Sequence, residues 1–326
     1  GQSPQIGGVA DETVDDPVED VPAEVPATVQ IGADGNDVLT GTAAADHLIG
    51  FSGDDVIVGL AGADVLLGGD GADFVAAWAG EDMAFGGAGN DTILGGDDAD
   101  LLYGDDGDDR LFGDAGDDMV NGGAGNDTVV AGAGDDRIVA EAGDGDDSYF
   151  GDEINGGSGI DTLDMSSILA NVSVNLGTGL GGYGSAMSAQ TGSDTLWGIE
   201  NVVTGAGNDT IAASTAVNVI DGGTGQDTFV FGSAAAAQGD MIVGFEAGDK
   251  LDLSAIDADA GTAGNQSFTL VNGGQSAGVG QLLVSHETRA DGDYTVVEGN
   301  LGNGNEADFK ISLKGTHDLV STDFSL

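Results

Sequence analysis

The sequence predicts an all-β fold: a solenoid of short strands stacked coil upon coil, finished by a β-rich C-terminal cap. Three observations predict it. A nine-residue unit repeats twelve times without insertion from Gly32 to Val139, and a fixed short period signals quasi-one-dimensional stacking rather than an ordinary globular core. The unit reads Gly-Gly-x-Gly-x-Asp-x-apolar-x, nearly intact in Gly86–Leu94, so each copy joins a turn to a strand. All four prolines lie in the first 26 residues, which leaves the rest of the chain free to form continuous ladders.

Residues 1–31 read as an acidic, proline-containing linker or arm. They hold Pro4, Pro17, Pro22 and Pro26, seven acids and no basic residue, a composition suited to a flexible extended segment. Val14, Val18, Val21, Val25 and Val29 would let such an arm anchor on a neighbour. Residues 32–164 form the main repeat region. Within a unit, the first six residues are expected to turn and the last three to form the strand. Glycines at positions one and four are expected to supply positive φ, and the eighth residue to face inward. The strict register ends at Val139; after a broken stretch, Gly156–Asp164 restores one unit, with Asp161 at its sixth position. Residues 165–203 read as a β-rich spacer, with Val172, Val174 and Leu176 alternating and one further unit around Asp194. Residues 204–230 form a second short roll with Asp209, Asn218 and Asp227 at sixth positions, and residues 231–326 alternate apolar runs with Gly/Asn/Asp turns as a cap.

The chemistry follows from charge and spacing. Fifty-eight acids against six basic residues give a net charge of −52 over 326 residues. That field excludes nucleic acid and anionic membrane surfaces as partners and favours cations. There is no cysteine for disulfides or thiolate sites, and no apolar run reaches the roughly 18 residues of a membrane span. The start at Gly1 reads as a processed product or a fragment. The candidate metal ligands are the sixth-position aspartates: Asp37, Asp46, Asp55, Asp64, Asp73, Asp82, Asp91, Asp100, Asp109, Asp118, Asp127 and Asp136, with Asp161, Asp209 and Asp227 beyond. Carboxylate and carbonyl oxygens without nitrogen or sulfur select a hard cation, and calcium's flexible 6–8 ligands suit stacked loops better than octahedral magnesium. One buried aliphatic side chain per unit yields about 1.5–3 kcal/mol. That is small against the roughly 9–18 kcal/mol of ordering nine backbone residues. Folding is therefore expected to wait for the ion. Two units make one coil, so odd and even loops lie on opposite edges. Odd loops keep glycine at positions one and four, whereas Ala44 and Asp98 replace the fourth and Ala77 and Ala131 the first on the even edge. The odd edge is expected to bind more tightly, with Ala44 the main defect. Position five, which opens Asn, Ala, Asp, Ala, Ala, Glu, is too irregular for an ordered polar array.

These units resemble the repeats-in-toxin (RTX) family. The C-terminal half is similar to the end region of serralysin-type secreted metalloproteases, through Gly156–Asp164, Gly198–Val203, Gly222–Val230 and Asp240–Phe245 to Asp252-Leu253-Ser254. The closing Asp323-Phe324-Ser325-Leu326 resembles an uncleaved type I secretion signal. The resemblance implies a right-handed parallel β-roll loaded with several Ca2+ ions. It also implies export through the type I secretion machinery and an extracellular, secreted or cell-surface location. One stretch departs from it: Asn300–Phe309 has asparagines where the family often has an aspartate-rich loop.

No catalytic apparatus emerges. A His-Glu-x-x-His zinc helix finds no match, since His286-Glu287 is followed by Thr288-Arg289-Ala290 and the only other histidines are His47 and His317. Gly274–Gly278 fits a nucleophile-elbow pattern but lacks strand–turn–helix context. Positions seven and nine should face outward, and they are unexpectedly apolar. Even strands carry Ile49, Val65, Leu67, Met83, Phe85, Leu101, Tyr103 and Met119; odd strands carry Val38, Val56, Val58, Phe74, Leu94, Phe112 and Val130. Such stripes predict a contact surface, for a homo-oligomer or filament or for the chain's own cap. The expected function is a non-enzymatic, secreted calcium-binding structural or adhesive protein that self-assembles into a layer or filament. The alternative is the calcium-binding and secretion region of a larger serralysin-like metalloprotease.

Overall fold

The computed structural model describes residues 28–152, 159–177, 183–272, 277–302 and 307–326. The anchoring valines of the N-terminal arm from Val14 to Val25, the start of the unit at Gly156, most of the Gly274–Gly278 match and Asn303–Glu306 lie outside the described residues.

Successive nonapeptides alternate between two sheets. Even units give His47–Ser52, Val65–Asp70, Met83–Ala88, Leu101–Asp106, Met119–Asn121 and Arg137–Val139. Odd units give Val38–Thr40, Val56–Ala61, Phe74–Ala79, Thr92–Asp97, Arg110–Ala115 and Thr128–Ala133. All pair in parallel with neighbours 18 residues away, as in Leu48 with Leu66 and Ile57 with Val75. The chain is thus a parallel β-roll, and apart from a 3-10 turn at Ser321–Asp323 the described elements are strands. Because side chains alternate across a strand, position eight points between the sheets. Leu48, Ile57, Leu66, Val75, Ile93, Leu102, Leu111, Val120, Val129 and Ile138 are all fully buried, as is the small Ala84.

Two local expectations are corrected. Most strands in the roll span six residues, as in Val56–Ala61, covering positions seven to nine of one unit and one to three of the next. Only positions four to six turn. Positive φ falls at positions two and four, not one and four. Position four has Gly53 at 117° and Gly71 at 143°; position two has Gly69 at 119° and Gly87 at 108°. At position two the bulky Phe51, Leu60 and Trp78 adopt 83°, 87° and 87°, a region L-residues rarely enter. Glycine at position one has a steric purpose instead: a Cβ on Gly50 or Gly68 would overlap the carboxylate of Asp55 or Asp73 in its own loop.

After Val139 the ladder accommodates an insertion. Ser148–Asp152 pairs in parallel with Gly192–Trp197, which runs antiparallel to Gly184–Ser188 and through it to Val172–Asn175. Val172–Asn175 then resumes parallel pairing with Thr210–Ala212. At the far end the cap lengthens both sheets rather than covering a face. Met241–Val243 pairs with Phe309–Lys314, which leads into antiparallel Gly292–Asn300 and Gln281–Arg289. Lys250–Asp252 pairs with the terminal Phe324–Ser325. One hydrophobic cluster runs from Leu39 to Phe324.

Candidate metal centre

The sixth-position aspartates form a ladder inside each edge. The Asp37 N–H donates to Asp55 Oδ1 at 2.7 Å, Asp55 to Asp73 at 2.7 Å, Asp73 to Asp91 at 2.7 Å, Asp91 to Asp109 at 2.7 Å and Asp109 to Asp127 at 2.8 Å. The other edge repeats this from Asp46 through Asp64, Asp82, Asp100 and Asp118 to Asp136, at 2.7–2.9 Å. Asp136 continues to Asp161 at 3.0 Å and Asp209 to Asp227 at 2.8 Å. One oxygen of each carboxylate is thereby committed to the backbone of the preceding coil.

The second oxygen is the informative one. Oδ2 of Asp55, Asp64, Asp73, Asp82, Asp91, Asp100, Asp109, Asp118, Asp127, Asp209 and Asp227 is buried without a hydrogen-bond partner. For Asp55, Asp64, Asp73, Asp91, Asp100, Asp109 and Asp118 it lies in the space a Cβ on the first glycine of the loop would fill, close to the carbonyl oxygen of the next coil. A buried carboxylate without a counter-charge is strongly unfavourable. Burial accordingly pushes the carboxyls of Asp82, Asp91, Asp127 and Asp227 up to about 6, Asp109 and Asp118 to about 7, and Asp100 to about 8. The ladder hydrogen bond opposes that rise and neighbouring aspartates add to it. A row of orphaned oxygens beside carbonyls, with no donor in reach, fits a hard cation between coils. Among the described residues no three acidic or histidine side chains converge at one point, so each ion would take carboxylates from adjacent coils plus backbone carbonyls.

Asn218 is oriented differently. It occupies a sixth position, and its Nδ2 donates to the Glu200 carbonyl at 2.6 Å and to Ser214 Oγ at 3.0 Å. Its Oδ1 accepts from the Ser214 N–H at 2.8 Å in its own loop, so the amide N–H faces the preceding coil, where the aspartates place the oxygen that accepts the ladder bond.

Asp37 and Asp46, in the first coil, differ from the rest. Asp37 Oδ2 accepts from the Ala33 N–H at 2.6 Å, and Asp46 Oδ2 accepts from the Thr42 N–H and hydroxyl. Ala44 avoids the positive φ that Asp98 adopts, at 76°, in the equivalent place. Asp147, Asp194, Asp240 and Asp249 extend the ladders; the register had placed a unit around Asp194, and the other three were missed by the strict period. Asp147 Oδ1 accepts from Asp127 at 2.7 Å and Asp194 Oδ1 from Asp147 at 3.2 Å. Asp240 accepts from Asn218 and Asp249 from Asp227, each at 2.9 Å across 22 residues. The shared 22-residue interval was a readable signal: both spans contain the one four-residue insertion between Asp227 and Asp240.

A second ladder runs outside the first, with opposite polarity. On the odd edge the Asp54 N–H donates to Asn36 Oδ1 at 3.0 Å, Asp108 to Asn90 at 3.1 Å, Asn126 to Asp108 at 2.9 Å and Asp146 to Asn126 at 3.0 Å. The even edge has the Asp135-to-Asp117 rung at 2.9 Å and its continuation from Ile160. Position five, irregular over the whole chain, is thus ordered along one edge.

On the outer face of the odd-unit sheet, Val58, Phe74, Ala76, Trp78 and Leu94 line an apolar groove. Trp78 is 61% exposed and Val38 75% exposed. On the other face the rings of Phe85 and Tyr103 stack at 5.2 Å.

Comparison with known proteins gives two families. RTX calcium-binding nonapeptide repeats match residues 31–66, 49–84, 85–120, 112–146 and 121–163. The peptidase M10 serralysin C-terminal family matches residues 153–326. No curated protein matches the chain. Among solved structures, the solution structure of the AlgE6R3 subunit from the Azotobacter vinelandii mannuronan C5-epimerase is similar at 15% identity over 90% of this chain and 80% of that one. Its TM-score of 0.16 is too low to bear on this fold.

Proposed function

Because this chain belongs to the peptidase M10 serralysin C-terminal family and carries RTX calcium-binding nonapeptides ahead of that region, we propose that it is a secreted structural or adhesive protein that extracellular calcium folds. The observation that carries this reading is the row of buried, partnerless Oδ2 atoms in a chain of net charge −52. Bound calcium supplies the positive charge those oxygens lack. Asp55, Asp64, Asp73, Asp82, Asp91, Asp100, Asp109, Asp118, Asp127, Asp209 and Asp227 hold it, and Asp136 and Asp161 continue the same rows. Asp37 and Asp46 are weaker ligands, since their own loops already occupy the second oxygen.

The chain's own residues set the timing. Without ions, the stacked carboxylates repel and the glycines favour the open chain. Extracellular calcium modules have affinities of roughly 10⁻⁴–10⁻³ M, far above cytosolic calcium, so the chain stays open inside and passes the type I machinery unfolded. Circular dichroism at neutral pH tests this. The strand signal should appear on adding millimolar calcium and vanish with chelator, and a full strand signal in chelator would overturn the reading.

The serralysin match favours a second reading: the same region serving a larger secreted metalloprotease. Zymography of the secreted product separates the two. A proteolytic band at a mass above that of this chain supports the second, and a non-proteolytic product of this chain's mass the first.

A further inference from the structure

The row of orphaned carboxylate oxygens on the odd edge is interrupted at one coil. Oδ2 of Asp127 and Oδ2 of Asp194 are buried without a hydrogen-bond partner. Between them in the ladder stands Asp147, whose Oδ1 accepts from the Asp127 N–H at 2.7 Å and whose own N–H donates to Asp194 at 3.2 Å. Its Oδ2 does have a partner: the Tyr149 hydroxyl donates to it at 2.7 Å. Both side chains are buried. Tyr149 pairs with Val129 and Leu196 in the sheet, so it holds the eighth position, which is aliphatic from Leu39 to Ile138. Ala142 stands five residues before Asp147, where most loops have glycine, but alanine does not explain the difference. Ala77 stands in the same place before Asp82, whose Oδ2 is orphaned all the same.

The hydroxyl does for Asp147 what a cation does for a buried carboxylate. Burial and the carboxylates around it push the Tyr149 hydroxyl well above its ordinary value, so it keeps its proton and donates. A bond from a hydroxyl to a carboxylate is short and charge-assisted, and it offsets much of the cost of burying the anion. The neighbouring Asp144 is served as well. Its Oδ2 accepts from the Glu141 N–H at 2.9 Å and meets the Tyr149 hydroxyl at 3.3 Å, and its Oδ1 accepts from the Gly145 N–H at 3.1 Å. Phe229 gives the same arrangement without the hydroxyl. It is the eighth-position residue after Asp227 and is fully buried. Its para carbon and Asp227 Oδ2 lie 3.0 Å and 2.7 Å from one point, the place a Cβ on Gly222 would occupy. Asp227 Oδ2 has no partner. One phenolic oxygen separates the satisfied carboxylate from the orphaned one.

On the reading that calcium fills the ladder, we propose that Tyr149 closes one place in the odd-edge row: its hydroxyl substitutes for the ion at Asp147 Oδ2, and that coil takes no calcium. Tyr149 acts through Asp147 and is a positioning residue. The closed coil stands where the nine-residue register first fails, at a ladder interval of 20 residues. The sites of the unbroken repeats are thereby separated from the site at Asp194, and the junction between them holds its ladder together without an ion.

The test uses the full chain and counts bound ions by native mass spectrometry in saturating calcium, with circular dichroism as the folding control. Tyr149→Phe should gain one ion and keep the calcium-induced strand signal. The reciprocal Phe229→Tyr should lose one ion. A tyrosine that only filled the core would leave the count unchanged in both. An unchanged or smaller count in folded Tyr149→Phe would overturn the proposal; where that variant does not fold, an unchanged count in Phe229→Tyr would overturn it. Loss of the strand signal in both variants would do so too, since each exchange would then be more than the trade of a hydroxyl for an ion. A wild-type chain that binds no calcium sinks the ladder reading itself, whereas a calcium-loaded wild type with any of those results sinks only the role of Tyr149.

Discussion

Asp91 gives Oδ1 to the Asp73 N–H at 2.7 Å and keeps Oδ2 buried beside Gly86, without a partner. The two oxygens can be separated experimentally. Asp91→Asn retains the ladder acceptor but places an N–H where Oδ2 was. It should lose calcium at that coil while the roll still folds. Asp91→Ala also loses the ladder bond and should cost about 1 kcal/mol more; calcium titration with thermal unfolding distinguishes them, and identical behaviour would contradict the division of labour. Proton linkage follows from the same atoms. Burial raises the carboxyls of Asp82, Asp91, Asp100, Asp109, Asp118 and Asp127 from an ordinary 3.8 to between about 6 and about 8, so through these groups the metal-free folded form binds more protons than the unfolded chain. Its stability is fully present below pH 4 and lost as pH rises through 6 to 8. In chelator, acidification from pH 8 to pH 5 should therefore increase strand content, and calcium binding near pH 7 should release protons, read as a buffer-dependent binding heat. A metal-free roll that loses structure over that interval would reverse the sign and refute the linkage.

At the scale of the loops and strands, the two edges differ by more than their glycines. The odd edge carries the outer Asn/Asp ladder over most of its length, whereas the even edge has its outer rungs only from Asp117 onward. Asp91→Ala should therefore weaken calcium-induced folding more than Asp100→Ala, and equal losses in a titration would count against the stronger odd edge. This asymmetry was half legible in the sequence. The alternation of units, the sixth-position ladder and the eighth-position core follow from a period of nine, and the structure has all three. Strand length was misread because positions one to three look like turn residues, yet the ladder's register draws them into the sheets. Positive φ at Phe51, Leu60 and Trp78 runs against local propensity, so nothing in those residues announced it. Asp147, Asp240 and Asp249 escaped because insertions stretch their spacing to 20 and 22 residues, which a fixed period cannot follow.

Across the whole molecule, one core and two long sheets carry an acidic surface interrupted by apolar outward strands. Trp78 and Phe74 are 61% and 40% exposed on the same sheet face, and calcium would lower the repulsion that keeps copies apart. Light scattering in calcium should show a rising mass with concentration, reduced by a Trp78→Ser, Phe74→Ser double variant; a monomer at every concentration would sink the assembly reading. The opposite end of the molecule has a different consequence. The terminal Phe324–Ser325 is the last rung of its sheet, with Phe324 buried, Ser325 O accepting from the Leu253 N–H at 2.9 Å and Leu326 O from Ser267 Oγ at 3.2 Å. A tail in that state is no longer a linear label. If those residues are the address that directs export, the chain erases its own address on arrival. Calcium would then make the journey a turnstile, passed once and in one direction.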